Sequence, residues 1–208
     1  MSDVVLVHGL WNRGWMMTTM AKRLRALGHH VRVFSYPTRA ADLDGHADAL
    51  HAFVHNGPPR EGVHFVGHSM GGLVILNMLS RYDDLPPGRV VLMGTPVKGS
   101  AVVRRLAKLP AQDFIFGKAR GGLLRGYQYS PEGREAGMIR GTRPFGFGRI
   151  AGRHAEPNDG SVRVSETELE GLSDTVELDV AHSEMLFSKN VVRQVEHFLR
   201  YGKFEKHI

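Results

Sequence analysis

The sequence predicts an α/β sandwich, in which a mostly parallel sheet of about six strands carries helices on both faces. Short apolar runs rich in Val, Leu and Phe alternate along the chain with stretches whose apolar residues recur at helical spacing. The runs are continuous in apolar character, as strands buried on both faces of a parallel sheet are. At 208 residues the chain has room for one sizeable core, so we expect a single domain over residues 1–208.

Six segments are predicted as strands because they are short, apolar and bounded by turn-forming residues. They are Val4–His8, Val31–Tyr36, Val63–Gly67, Arg89–Gly94, Gly146–Gly152 and Thr175–Val180. Helices are predicted between them over Trp15–Leu27, Leu43–His55 and Met70–Arg81. A final helix is predicted after Ser188, whose hydroxyl can cap the first turn. This alternation of strands and helices is typical of a sheet covered on both sides.

The absence of cysteine excludes disulfides, thiolate metal sites and a cysteine nucleophile. It fits a reducing compartment, and we expect a cytoplasmic protein. No run of about 18 apolar residues is present, so the sequence predicts no transmembrane segment. The first predicted strand begins almost at Met1 without a basic leader, so no cleaved signal is expected.

The net charge of +6 is concentrated in one segment of the chain. Residues 98–145 contain 10 Lys or Arg and 3 Asp or Glu, together with eight glycines and no predicted long strand. We interpret this segment as a basic cap or lid insertion, because compact domains seldom keep such an interval without a use. Three roles are open for it: a lid that meets an anionic interface, a cap that selects an acidic substrate, or a solvated loop. No nucleic-acid-binding module is present, so no nucleic-acid partner is predicted.

The strongest local signal is the pentapeptide Gly67-His68-Ser69-Met70-Gly71, which has the pattern G-x-S-x-G. It lies between an apolar strand and a buried helix, which is the context that a nucleophile elbow needs. The turn is so sharp that the residues two before and two after the serine must be glycine-sized. It raises the hydroxyl above the sheet at a helix N-terminus, which favours developing negative charge. Ser69 is the predicted nucleophile, against the alternative of a chance match in an ordinary turn.

A serine hydroxyl needs a base that removes its proton, and four histidines lie well downstream of Ser69. His197 falls within the last predicted helix and His207 in the tail, whereas His154 precedes the candidate acid. His182 directly follows a strand and precedes the last helix. His182 is therefore the predicted base, and its alternative is an ordinary surface-loop histidine.

The acid that orients the base is predicted in the loop after the fifth strand, which holds Glu156 and Asp159. Asp159 is the preferred acid and Glu156 its alternative. Because Asp159 lies between Asn and Gly, a simple turn-forming role is also open for it. As the acid, Asp159 orients His182 and stabilises its imidazolium without taking the proton.

These motifs resemble those of the α/β-hydrolase superfamily, and in particular those of small lipases and carboxylesterases, including the lipase branch related to inositol deacylases. The similar stretches are His8-Gly9-Leu10 (oxyanion loop), Gly94–Ser100 (G-T-P-H-x-G-S, with Val97 where His is usual), Asn158–Val162 (N-D-G-x-V acid loop) and Ala181–Leu186 (catalytic-histidine loop). The resemblance implies an α/β-hydrolase fold, and only the basic segment, interpreted above as a lid-like insertion, falls outside it. It implies no metal and no organic cofactor.

The oxyanion hole is predicted to consist of two backbone N–H groups. One belongs to Met70, directly after the nucleophile, and the other to Leu10, in the loop after the first strand. His8 is expected to fix that loop by hydrogen bonding.

The predicted function is a serine hydrolase that cleaves small-molecule or lipid carboxylic esters through an acyl-enzyme on Ser69. Thioesterases, amidases and acyltransferases use the same triad, because the leaving group and the acceptor are set by the shape of the pocket. A non-catalytic binding protein on this fold is the alternative from another class.

No metal site is predicted. His51 and His55 have i, i+4 spacing on a predicted helix, but no Glu follows His51, so the zinc motif H-E-x-x-H is absent. We expect these two histidines to lie on a solvated helix face.

Overall fold

A six-stranded sheet forms the centre of the protein in a computed structural model, which describes residues 3–57, 61–131, 133–145 and 156–206. Its strands are β1 (Asp3–Val7), β2 (His30–Phe34), β3 (Val63–His68), β4 (Val90–Met93), β5 (Ala136–Gly141) and β6 (Asp174–Leu178). They are ordered β2-β1-β3-β4-β5-β6, and each neighbouring pair is parallel. The parallel sheet of six strands predicted from the sequence is confirmed.

The burial of the strands explains their composition. Strands β1 and β4 are buried along their whole length, whereas the edge strands β2 and β6 have exposed and half-buried positions. A central strand that is covered on both faces has few positions for a polar side chain, so it reads as a nearly continuous apolar run.

Helices cover both faces of the sheet, as predicted. Their bounds are α1 (Thr18–Ala26), α2 (Leu43–His55), α3 (Met70–Arg81), α4 (Ala101–Leu106), α5 (Gln112–Phe116), α6 (Arg120–Arg125) and α7 (Lys189–Tyr201). Apolar residues of α2 to α6 pack on one face, and those of α1 and α7 pack on the other. Ser188 caps α7 by accepting a hydrogen bond from the N–H of Val191 at 3.3 Å. Within the described parts of the chain, no helix is long and apolar enough to cross a membrane.

The fifth strand is not where the sequence placed it. The predicted strand Gly146–Gly152 lies outside the described residues, and β5 instead lies within the segment 98–145, for which no long strand was expected. That expectation was wrong because two glycines and an arginine conceal the apolar character of β5. One of these glycines, Gly137, is required by packing, since a Cβ there would lie 2.4 Å from the Phe198 ring of α7.

Helices α4, α5 and α6 lie in the segment that connects β4 to β5. The two ends of this helical segment are in contact. The N–H of Tyr127 donates a hydrogen bond to the carbonyl of Val97 at 2.9 Å, and a Cβ at Gly126 would lie 2.4 Å from the N atom of Gly99. We call residues 98–126 the cap. The segment predicted as an insertion, residues 98–145, thus also contains β5 of the sheet, whereas the single domain over residues 1–208 and the mobility of a lid stay predictions.

Candidate active site

Ser69 lies in a strained turn between β3 and α3. Its φ is 55° and its ψ −126°, a region that residues with a side chain seldom adopt. The flanking glycines are needed because of close backbone contacts. A Cβ at Gly67 would lie 2.6 Å from the Cα of Gly72, and a Cβ at Gly71 would lie 2.2 Å from the carbonyl oxygen of Val7. The backbone therefore has the strand–turn–helix geometry that the G-x-S-x-G motif predicts.

Asp159 and His182 are joined by a hydrogen bond. The Nδ1 atom of His182 lies 2.7 Å from Oδ2 of Asp159, whose side chain is almost completely buried. The other oxygen, Oδ1, accepts hydrogen bonds from the N–H groups of Ser161 at 2.9 Å and Val162 at 2.7 Å. Because an ionised carboxylate only accepts hydrogen bonds, Nδ1 carries a proton, and in the neutral ring Nε2 has a free lone pair. This is the tautomer that a general base needs.

The structure brings Asp159, and not Glu156, to the histidine. The carboxylate of Glu156 contacts Nε of Arg163 at 3.1 Å and accepts a hydrogen bond from the hydroxyl of Ser165 at 3.0 Å. Asp159 also has the turn-forming role, since its Oδ1 accepts hydrogen bonds from two N–H groups of its own turn. The two interpretations of Asp159 are therefore compatible, because each uses a different carboxylate oxygen.

Ser69 and His182 line the same cavity, which has a volume of about 430 Å³. This volume lies within the range of small-molecule sites, about 300–1,000 Å³. Among the described residues Ser69 Oγ makes no hydrogen bond, and a serine–histidine contact is often loose until a substrate is bound. The apolar residues of the cavity wall are Leu10, Trp11, Pro96, Val102, Val103, Leu106, Phe116, Leu123 and Val162. The cap supplies five of these, so it shapes the space in front of Ser69.

The two predicted oxyanion donors are the backbone N–H groups of Met70 and Leu10, which belong to different segments of the chain. Met70 is the first residue of α3, and Leu10 lines the cavity in the loop after β1. Neither N–H group donates a hydrogen bond to the described part of the chain. The loop of Leu10 abuts Ser69 closely, since a Cβ at Gly9 would lie 2.8 Å from the Cβ of Ser69. The oxyanion hole formed by these two N–H groups stays a prediction.

His8 fixes the loop that carries Leu10. Its Nε2 accepts a hydrogen bond from the N–H of Tyr36 at 3.3 Å, so Nδ1 holds the proton and donates to the carbonyl of Gly9 at 3.0 Å. The ring also stacks on Tyr36, whose hydroxyl donates to the His8 carbonyl at 2.9 Å. Burial lowers the pKa of His8, which favours this neutral form. His8 therefore has the positioning role expected from the sequence.

His68 makes a contact with His182 that was not predicted from the sequence. The only signal in the sequence is the position of His68 directly before Ser69. Its Nε2 lies 3.0 Å from the carbonyl oxygen of His182, and the two rings are 4.6 Å apart. Burial, followed by the nearby His182, lowers the pKa of His68 well below its usual value. The ring is therefore neutral, with its proton on Nε2 to donate to the carbonyl. His68 thus holds the backbone of the predicted base.

Gly94, in the loop after β4, makes room for the Asp159–His182 pair. A Cβ at this position would lie 2.9 Å from Oδ2 of Asp159 and 3.1 Å from Nδ1 of His182. The φ of Gly94 is also positive, at 54°. Its lack of a side chain is required both by its backbone conformation and by the hydrogen bond beside it.

Two curated relatives share sequence with part of the chain. The carbendazim hydrolyzing esterase of Nocardioides sp. (strain SG-4G) is 33% identical over 89 residues, which are 39% of this chain and 37% of that protein. The probable esterase PIR7A of Oryza sativa subsp. indica is 31% identical over 97 residues, which are 42% of this chain and 37% of that protein. The chain thus spans just over a third of the length of these relatives.

Solved structures match a larger share of the chain. The mature form of the Bacillus licheniformis lipase BlEst2 superposes with a TM-score of 0.73 and 19% identity, covering 97% of this chain and 91% of that one. The metagenomic carboxyl esterase MGS0156 gives a TM-score of 0.69 and 20% identity, covering 87% and 64%. At these identities the likeness shows a shared fold. The sequence model of the alpha/beta hydrolase family matches residues 4–180, so the chain belongs to the alpha/beta hydrolase family.

Proposed function

We propose that the protein is a serine hydrolase that cleaves carboxylic esters through an acyl-enzyme on Ser69. The observation that carries the proposal is the 2.7 Å hydrogen bond between Asp159 and His182, at the cavity that Ser69 lines. This pair leaves the Nε2 lone pair of His182 as the base. The esterase names of the two curated relatives favour an ester as the substrate.

The reaction begins when Ser69 Oγ attacks the ester carbonyl carbon and Nε2 of His182 takes the hydroxyl proton. The negative charge on the carbonyl oxygen is stabilised by the N–H groups of Leu10 and Met70. When the carbon–alkoxy bond breaks, His182 gives the proton to the leaving alcohol. A water molecule then attacks the acyl-enzyme, loses a proton to His182 and releases the carboxylic acid, and the proton returns to Ser69. Asp159 stabilises the imidazolium throughout.

The wall of the cavity favours an apolar substrate. Val102, Val103, Phe116 and Leu123 of the cap are all largely buried and face the same space as Ser69. A volume of about 430 Å³ holds an acyl or alkoxy group of moderate size. We therefore propose a small, largely apolar ester as the substrate, whereas thioester, amide and acyl-transfer chemistry are the alternatives to test.

Many cations of the basic segment are paired within the protein. Lys98 lies 2.5 Å from Glu168, Arg104 lies 3.3 Å from Glu166, and Arg143 contacts Asp179 and Glu184 at 3.0 and 2.8 Å (this last arginine follows β5). These pairs weaken the case for an anionic interface as the partner of the segment. That partner and a cytoplasmic location stay predictions from the sequence.

Labelling with a fluorophosphonate probe tests the nucleophile. The probe phosphonylates an activated serine, so wild type should gain one adduct on Ser69 and the Ser69→Ala variant none. Ser183→Ala is the matched control, because this serine lines the same cavity next to His182. The proposal fails if wild type is not labelled, or if Ser69→Ala is labelled as fast as wild type.

The substrate class is tested by comparing kcat/KM for matched acetyl, butyryl and octanoyl compounds presented as esters, thioesters and anilides. We expect the esters to react at least about tenfold faster than the anilides, with Ser69→Ala inactive on both. A thioester preferred over its matched ester by more than about tenfold would assign the enzyme to thioesters instead.

A further inference from the structure

A second group of side chains converges near the end of the sheet where the strands begin, opposite the end that carries Ser69. Helices α2 and α3 run back antiparallel to the strands, so their C-terminal ends lie near the edge where the strands begin. His51 and His55 belong to the last turns of α2, and Asp84 lies in the loop after α3. The Nε2 atoms of His51 and His55 lie 2.9 and 3.2 Å from Oδ1 and Oδ2 of Asp84.

We propose that His51, His55 and Asp84 bind a divalent transition-metal ion, with Zn²⁺ as the best fit. Two imidazoles and one carboxylate are a ligand set that Zn²⁺ takes in proteins. One ligand atom from each residue lies within 4.8 Å of the others. Bonds of about 2.0–2.1 Å in tetrahedral geometry separate the ligand atoms by about 3.3 Å, close to the two observed distances. The side chains of His55 and Asp84 are 42% and 60% exposed, so water can serve as the fourth ligand.

The ring of His51 is held in place by contacts outside the group. It stacks on Tyr82 with a centroid distance of 3.8 Å, and the hydroxyl of Tyr82 donates a hydrogen bond to Asp48 at 2.7 Å. His55 follows one turn later on the same face of α2, with its ring 4.4 Å from that of His51. Since the two rings already converge, binding the ion orders few further side-chain rotamers, which lowers the entropic cost of binding.

The surrounding charges favour a cation. Asp83 precedes Asp84 in the chain, and Asp48 lies one turn before His51 on α2, whereas Asp44 lies in the first turn of that helix. The cation nearest in the chain, Arg81, is paired with both of these α2 carboxylates, at 3.2 and 2.8 Å. Its charge is thus balanced locally and does not oppose a metal ion beside Asp84.

The bound ion joins the end of α2 to the loop after α3. Since the three ligands converge only in the folded chain, the binding free energy adds to the stability of the fold. The site takes no part in the proposed ester hydrolysis, because it lies at the other edge of the sheet.

Zinc titration of the metal-free protein, purified without a histidine tag, tests the site. Isothermal titration calorimetry in a weakly coordinating buffer at pH 7 should give one equivalent of bound Zn²⁺ for wild type. The variants Asp84→Asn and His55→Ala should each bind at least about a hundredfold more weakly. His197→Ala is the matched control, since this histidine lies on α7 with its ring 4.7 Å from that of Tyr201. It should bind as wild type does.

Two further measurements distinguish this site from metal binding elsewhere on the protein. Zn²⁺ should raise the Tm of wild type and of His197→Ala, but not that of Asp84→Asn. Co²⁺ should give the intense visible absorption bands of a tetrahedral complex in the same two proteins and not in Asp84→Asn. Binding that persists in both ligand variants but is lost in His182→Ala would place the ion at the catalytic pair and overturn the proposal. Wild-type affinity no higher than that of Asp84→Asn would overturn it as well, and would leave the three residues as an ion-pair cluster only.

Discussion

Replacing Gly94 with alanine should disrupt the Asp159–His182 pair with one methyl group. The new Cβ would lie 2.9 Å from Oδ2 of Asp159 and 3.1 Å from Nδ1 of His182. Ordinary carbon–heteroatom contacts begin near 3.4 Å, so one partner has to move by about 0.5 Å. The carboxylate is held by two N–H groups of its own turn, so the strain falls mainly on the hydrogen bond to the histidine.

The expected loss of activity follows from this displacement. A misplacement of about 1 Å of a catalytic group costs roughly 10²-fold in rate, so a shift of about half that size should lower kcat/KM by about 10- to 100-fold. The positive φ of Gly94 adds a separate cost of about 1–2 kcal/mol in stability, because L-residues are strained there. For a chain of this size that cost corresponds to a fall in Tm of about 2–8 °C.

Gly28→Ala is the matched control for the backbone effect. Gly28 follows α1 with a φ of 94°, and a Cβ there would meet nothing within 4 Å. Both variants should lose Tm through the positive φ, and Gly94→Ala should lose more because of its close contacts. Only Gly94→Ala should lose activity on a p-nitrophenyl ester. The reasoning is refuted if Gly94→Ala keeps kcat/KM within twofold of wild type, or if Gly28→Ala loses as much activity.

Two further predictions concern a buried carboxylate and the neutral histidine before the nucleophile. Burial raises the pKa of Asp3, but hydrogen bonds from the basic side chains of β2 outweigh this effect and hold the pKa below its usual value. Asp3 therefore stabilises the fold above about pH 4, and this stability is lost as the pH falls through the pKa of Asp3 in the folded state. In urea titrations from pH 7 to pH 3, the free energy of unfolding of Asp3→Asn should fall less steeply with acid than that of wild type. At pH 7 the substitution should lower the free energy of unfolding by about 3 kcal/mol. His68→Leu should lower kcat about tenfold with KM little changed and cost about 1–3 kcal/mol, because the His182 carbonyl loses its donor. His68→Gln, which can still donate, should recover most of this kcat, and equal losses in both variants would remove the positioning role.

Most of the fold follows from patterns that are local in sequence. Strands covered on both faces are continuous apolar runs, so β1, β3 and β4 were found near their observed positions. The elbow and the histidine loop were also found, since each follows the end of a strand and precedes a helix. These features depend on a few adjacent residues, which is why sequence reasoning reaches them.

The features that sequence reasoning missed depend on contacts between distant segments. β5 was missed because Gly137 serves the packing of α7 rather than the strand itself. The partner of His51 and His55 was missed because Asp84 lies on a different element, and a helix pattern alone pointed to a solvated face. The hydrogen bond of His68 to His182 joins residues that are 114 positions apart. No local pattern encodes contacts of this kind.

The contact between the two cap ends at Val97 and Tyr127 has a consequence for how this protein can change. A segment that leaves and returns at one point can be lengthened, shortened or exchanged without altering the spacing of β4 and β5, and longer loops add little closure entropy. The chemical groups Ser69, Asp159 and His182 lie outside this segment. Under the proposed function, substrate selectivity and catalysis would therefore be set by different segments of the chain. A cap transplanted from a related protein should change the substrate selectivity and leave Ser69, Asp159 and His182 in place.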